Sequence, residues 1–201
     1  MLKRIIVSQR INVEESYGEV RDAIDQKWYD FFSEIGVLPI LAPNNARLLK
    51  TILYEIHFDS VLLTGGNTPV AYGGNAHERD CTDSMLIAYA CSKDIPLIGV
   101  CRGCQSIALF FGGTLKVVEN HVAKRHKISG EFEREVNSFH EFAISDQFFP
   151  QELKIASISE DGNIEALRHK EKPLLGIMWH PEREQPFSRC DLDLFKQQCG
   201  V

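Results

Sequence analysis

No stretch of this sequence approaches the roughly 18 consecutive apolar residues of a membrane span, and the run Ile5-Ile6-Val7 is far too short for the core of a signal peptide. No membrane partner is expected, and a cytoplasmic location is. Basic charge is scarce as well: 22 Lys and Arg face 28 Asp and Glu, the net charge is −6, and the longest basic cluster is Lys124-Arg125-His126-Lys127. A surface that coats nucleic acid needs the opposite balance, so no nucleic-acid partner is expected. Repeats, low-complexity tracts and linkers are absent, which makes residues 1–201 a single expected domain with a substantial core. The six cysteines are scattered except for Cys101 and Cys104, a pattern of free thiols rather than of a disulfide framework. A second C-x-x-C and an H-x-x-x-H are both missing, so no metal site is expected. The phosphate-cradling patterns G-x-x-x-x-G-K and G-x-G-x-x-G are missing too, and no cofactor is expected.

What is present alternates between strand and helix. Lys3 to Ser8 reads as a buried strand, Gln9 to Gly18 as a polar loop, and Val20 to Ile35 as a helix on its three- and four-residue apolar steps, closed by Gly36. Strands are expected at Val37 to Leu41, Ser60 to Leu63 and Pro96 to Val100. Helices are expected at Ala46 to Ile56, Asp80 to Lys93 and Gln105 to Phe111. Four such alternations predict an α/β fold, a doubly wound and mostly parallel sheet with ligands at the carboxyl ends of its strands. After Gly112-Gly113 come short strands at Thr114 to Val118, Glu135 to Asn137, Lys154 to Ser159, Ile164 to Arg168 and Leu174 to Met178. Asp161-Gly162-Asn163 reads as a hairpin turn, and Cys190 to Gln198 as a closing helix.

The chemistry concentrates where the fourth strand stops. In Gly99-Val100-Cys101-Arg102-Gly103 a strand reverses into a helix within two or three residues, and glycines flank the crowded turn as in a nucleophile elbow. Cys101 is the expected nucleophile. A thiol nucleophile needs a base and a group to orient that base. His180 and Glu182 follow the apolar strand Leu174 to Met178, and at i and i+2 of an extended chain they point to one side. The developing oxyanion needs N–H donors, for which the backbone of Arg102 and the Gly65-Gly66 turn are the candidates. Cys104 leaves a rival reading open, a thioredoxin-like redox pair with Cys101, although that reading gives His180 and Glu182 no role. A non-catalytic binding domain is the other alternative.

At these residues the sequence resembles the class I glutamine amidotransferase superfamily, and within it the stand-alone γ-glutamyl hydrolases. The resemblance spans nearly the whole chain. It rests on Leu62-Leu63-Thr64-Gly65-Gly66, on Arg79-Asp80, on Ile95 through Gln105, on Phe111-Gly112-Gly113-Thr114-Leu115, on Val136 through His140, and on Gly176 through Glu182. It implies a flavodoxin-like fold with a small antiparallel addition, and cleavage of a γ-glutamyl amide through a thioester on Cys101, with His180 as acid/base and Glu182 as its orienter. It implies Gly65, Gly66 and Arg102 at the oxyanion hole and Gln105 at the glutamyl group. Ser138, Phe139 and His140 would line the substrate pocket, and Arg10, Tyr72 and His121 would contribute to it.

There are departures from the family pattern. Cys104 stands where Leu or Met is common, Glu141 stands where a second His is frequent, and the loop Thr68 to Arg79 is short. The opening segment from Ser8 to Tyr29 looks like a subgroup of bacterial capsule assembly, in which a member hydrolyses γ-glutamyl-CDP-amidate. Arg10, Arg21, Lys124, Arg125 and Lys127 would then be counter-charges for a diphosphate. The implied partner is a small-molecule γ-glutamyl substrate. A homodimer, and a synthetase fed with ammonia in trans, are the protein partners the resemblance leaves open.

Overall fold

A computed structural model describes residues 2–201. The chain opens with strand β1 (Lys3–Val7), a hairpin of β2 (Arg10–Glu14) and β3 (Glu19–Ala23), helix α1 (Lys27–Ile35), β4 (Val37–Leu41), α2 (Ala46–Glu55) and β5 (Ser60–Leu63). Helix α3 (His77–Lys93), β6 (Leu97–Val100) and α4 (Arg102–Phe110) follow. Seven more strands lead to the last helix: β7 (Leu115–Val117), β8 (Val122–Gly130), β9 (Arg134–Phe139), β10 (Phe142–Ile144), β11 (Leu153–Ser159), β12 (Ile164–His169) and β13 (Leu174–Ile177), then α5 (Arg189–Cys199).

The strands β4-β1-β5-β6-β13 run parallel in that spatial order. Counted among themselves they give the order 2-1-3-4-5 of flavodoxin-like sheets, as expected. Beyond β13 the same sheet continues antiparallel through β12, β11, β8 and β9, with β10 bonded to β12 and β7. The sequences explain the division. Every residue of β5, β6 and β13 is buried, as a strand covered on both faces requires, whereas β8 buries little beyond Ile128 and has a wet face.

Helices α1 and α5 cover one face of the parallel part through Trp28, Phe31 and Phe195. Helices α2, α3 and α4 cover the other through Leu49, Leu86 and Ile107. Phe31 meets Phe195 edge-on with centroids 4.9 Å apart. Such a pair contributes about 0.5–1.5 kcal/mol beyond its buried area.

Three segments depart from the sequence expectation, one of them the short strand β10, where none is expected. Residues 20–23 are not helical: they pair as β3 with β2, in a segment expected to be loop, and α1 begins only at Lys27, whose N–H donates to the Asp25 side chain at 3.0 Å. Val20 fits the helical period but is 63% exposed, so no buried face enforces that period. The hairpin is held instead by Asn67, whose amide accepts from Ile11 N–H at 2.8 Å and donates to Ile11 C=O at 2.9 Å. The basic cluster Lys124 to Lys127, for which no strand is expected from sequence, lies inside β8, where pairing with β9 sets its conformation.

Candidate active site

Strands β5, β6 and β13 end side by side, and each delivers one part of the site from its carboxyl end. After β6 the chain turns through Cys101 at φ 51° and ψ −106°, a conformation that costs a non-glycine residue of order 1–3 kcal/mol. The neighbours make that turn obligatory. A Cβ on Gly99 would lie 2.5 Å from the Gly103 carbonyl carbon, and one on Gly103 would lie 2.2 Å from the Leu63 carbonyl oxygen. Helix α4 therefore packs backbone against backbone on β5 and β6, and Cys101 is thrust up at its N-terminus beside the N–H groups that no helical carbonyl can accept.

From β13 the chain reaches His180, buried, whose Nδ1 lies 2.7 Å from Oε1 of buried Glu182. Burial works against a charged imidazole, but attraction to the Cys101 sulfur and the Glu182 carboxylate outweighs it, raising the His180 pKa to about 9. The ring is tightly seated. Phe139 meets it edge-on at 5.8 Å, and Asn137 grips the His180 backbone on both sides, accepting from its N–H and donating to its C=O at 2.8 Å each. In the sequence Asn137 carries no signal beyond its membership of the Val136–His140 motif.

From β5 comes the turn Thr64-Gly65-Gly66. A Cβ on Gly65 would sit 2.6 Å from His180 Cε1, so glycine is required for the turn to face the imidazole. Beneath it lies Arg79 of α3, fully buried. Its guanidinium donates to the carbonyls of Thr64 at 2.6 Å, Gly65 at 3.0 Å and Gly66 at 2.6 Å. Three carbonyls drawn down onto one cation hold the peptide planes of the turn, and with them the direction of its N–H groups. Burial, with Arg10 nearby, lowers the Arg79 pKa to about 9, which leaves it cationic at neutral pH. Arg102 anchors the other side by pairing with Asp80 and Asp83 of α3. Arg79 is marked in the sequence only by its motif, because its position under the turn depends on where α3 packs.

The cleft above these groups has a volume of about 270 Å³, and Cys101, Arg102, Gln105, Phe139, His140 and His180 all contribute to its wall. Gln105 donates to the Phe142 carbonyl at 2.9 Å. Other residues expected at the pocket are placed differently. The Ser138 hydroxyl is buried and donates to the His121 carbonyl at 2.7 Å. Tyr72 accepts from Leu115 N–H at 2.7 Å through its hydroxyl and packs on Phe142, outside the lining of the cleft. Arg10 sits behind the Gly65–Gly66 turn, beside Gly66 and Glu182. Cys104 is wholly buried against Gly176, it is not bonded to Cys101, and burial holds its thiol pKa well above the ordinary value. Among the described residues no helix is long and apolar enough to cross a membrane.

Known proteins share the family sequence and the fold. The gamma-glutamyl-CDP-amidate hydrolase of Campylobacter jejuni is 33% identical over 186 residues, which cover 89% of each chain. A glutamine-hydrolyzing GMP synthase subunit from Methanosarcina mazei is 29% identical over 189 residues, covering 86% of this chain and 87% of that one. Among solved structures, a putative GMP synthase subunit from Thermoplasma acidophilum superposes with a TM-score of 0.72 at 20% identity, over 100% of this chain and 94% of that one. Residues 15–187 match the family model of class-I glutamine amidotransferases. That match spans both the elbow and the strand leading to His180 and Glu182, and the chain belongs to the class-I glutamine amidotransferase family.

Proposed function

We propose that this chain is a stand-alone γ-glutamyl hydrolase working through a Cys101-His180-Glu182 triad. The observation that carries the reading is the buried pair His180–Glu182 at 2.7 Å, with His180 set in the wall of the same cleft that Cys101 lines. The Cys101 thiol passes its proton to His180 as its sulfur attacks the γ-carbonyl carbon, and the negative oxygen that forms is met by N–H groups of Arg102 and the Gly65–Gly66 turn. The C–N bond breaks as His180 gives its proton to the leaving nitrogen, leaving a γ-glutamyl thioester. Water then adds to the thioester as His180 takes its proton, and glutamate and the free thiol are released. Glu182 holds the imidazole with Nδ1–H toward itself throughout and stabilises the imidazolium.

The leaving group we favour is a cytidine diphosphoramidate, making the substrate γ-glutamyl-CDP-amidate. The relative at 33% identity supports it. So does a groove of about 370 Å³ that adjoins the cleft along Phe139 and Arg183 and is lined by Lys124 and Arg125. Arg125 is already engaged by Glu135 and Glu184, and Arg183 lies over the Phe139 ring with Glu182 3.7 Å away, so Lys124 is the cation we assign to the diphosphate.

The test is a panel of glutamine, γ-glutamyl-γ-aminobutyrate and γ-glutamyl-CDP-amidate ranked by kcat/KM, repeated with Lys124→Ala. The expected result is a preference for the CDP-amidate, with a KM that rises in the variant for that substrate alone. Equal use of all three would remove the nucleotide assignment and leave the hydrolase reading standing. A second reading, a glutaminase that supplies ammonia to a separate synthetase, is favoured by the resemblance to the GMP synthase relative. It predicts slow glutamine hydrolysis that accelerates when a synthetase is added.

A further inference from the structure

Behind the cleft, the antiparallel part of the sheet buries a polar cluster that, apart from His140 at the cleft wall, has no part in the proposed reaction. Glu165 of β12 is fully buried, and neither of its carboxylate oxygens has a hydrogen-bond partner. Its Oε1 is surrounded by three imidazoles: Nε2 of His126 at 3.4 Å, Nε2 of His140 at 3.4 Å and Nδ1 of His121 at 3.6 Å. Nε2 of His126 and both nitrogens of His140 also lack hydrogen-bond partners. A buried carboxylate costs several kcal/mol unless it is compensated, and imidazole nitrogens that stand 3.4–3.6 Å from it without completing hydrogen bonds leave room for a ligand among them.

We propose that His121, His126 and Glu165 form a binding site for a divalent transition-metal ion of the zinc type. One ligand atom from each of the three lies within 4.8 Å of the others. Bonds of about 2.0–2.1 Å at tetrahedral angles place neighbouring ligand atoms about 3.4 Å apart, which is the separation found between Glu165 and His126. Two imidazoles and one carboxylate suit zinc, with one position left for water, whereas calcium and magnesium require oxygen ligands.

The surroundings are those of a ligand set held in advance. The far nitrogen of His121, Nε2, lies 2.9 Å from Asp161 Oδ2, and Asp161 is itself held by Asn163 at 2.9 Å and by the Ser159 hydroxyl. A carboxylate on the far nitrogen fixes the tautomer in which Nδ1 carries the lone pair, with Glu165 and the Ser138 hydroxyl, 3.4 Å away, as its polar neighbours. His140 stands on the same Glu165 oxygen and steers the carboxylate. His126, with its side chain 13% exposed, and Asp161, at 54%, mark the side from which an ion enters.

The site would fasten β8 to β12 directly behind Phe139 and His140, and so support the wall of the cleft. No local motif announces it, because the ligands are 5 and 39 residues apart, and the strands that bear His126 and Glu165 are separated by β11.

The test uses the full chain carrying Cys101→Ala, so that the reactive thiol does not compete for metal. The protein is freed of metal with a chelator, then titrated with Zn²⁺ by calorimetry and with Co²⁺ by visible absorption. One equivalent should bind, the Co²⁺ spectrum should lack a thiolate charge-transfer band, and Zn²⁺ should raise Tm. His126→Asn should weaken binding more than about 100-fold, and Asp161→Asn by about 10–100-fold. His126→Asn alters the partly exposed edge, so it remains informative even if Glu165→Gln does not fold. No stoichiometric binding, a thiolate band, or an affinity indifferent to His126→Asn would overturn the proposal, leaving a cluster that carries protons rather than metal.

Discussion

Gly65→Ala isolates the contact between the candidate oxyanion turn and the candidate base. The added methyl would lie 2.6 Å from His180 Cε1, and ordinary van der Waals contact begins at 3.4 Å, so the two must separate by about 0.8 Å. Neither side yields easily. The imidazole is fixed by Glu182, by the Phe139 ring and by both backbone bonds to Asn137, while the turn is fixed by three carbonyl bonds to Arg79. A displacement approaching 1 Å at reacting groups costs on the order of 100-fold in rate, about 2.7 kcal/mol of barrier. The assay is steady-state kcat and KM on γ-glutamyl-CDP-amidate or glutamine, with thermal unfolding as a control on the fold. The expected result is a kcat lowered about 100-fold in a folded protein.

Gly66→Ala is the natural comparator for this variant. Gly66 has φ +88°, and its methyl would meet only the flexible Arg10 side chain at 3.4 Å, so it should lose stability, about 1–2 kcal/mol, more than rate. A Gly65→Ala enzyme that keeps kcat within about threefold of wild type while Gly66→Ala loses more would refute the assigned positions of turn and base.

Cys101→Ala should abolish turnover with Tm close to wild type. Cys101→Gly, equally inactive, should be more stable than the alanine variant by about 1 kcal/mol, since glycine relieves the positive φ; calorimetric unfolding of the pair checks this. Because the His180 pKa is raised to about 9 in the folded protein from 6.5, its contribution to stability is complete below about pH 6.5 and is lost as pH rises through 9. Wild type should therefore lose Tm between pH 7 and 9.5 more steeply than Glu182→Gln, and kcat/KM should fall above about pH 9. Cys104→Ala should retain most hydrolysis, measured as glutamate release, because the buried thiol packs against Gly176; loss of hydrolysis comparable to that of Cys101→Ala would restore the dithiol reading.

Short-range pattern was enough to reveal the alternation that builds a parallel sheet, the elbow at Cys101 and the order of the motifs around it. A fully apolar four-residue run between turn signals reads as a buried strand, and glycines two residues either side of a cysteine report a backbone contact made by that same segment. His180 and Glu182 were legible as a pair two residues apart after an apolar strand, although Glu182 lies in a short 3-10 turn, Pro181–Arg183, and not in the extended stretch expected of it. The hairpin of β2 and β3 was not, because it is held by Asn67, 56 residues from Ile11, rather than by a periodic apolar face. Tertiary packing alone sets Arg79 under the Gly65–Gly66 turn, clamps His180 with Asn137, engages Tyr72 with the Leu115 backbone, and brings His121, His126 and His140 together on Glu165. These are contacts between elements brought together by sheet order and helix packing, and no local pattern of residues encodes the distance between strands that are neighbours only after the sheet has formed.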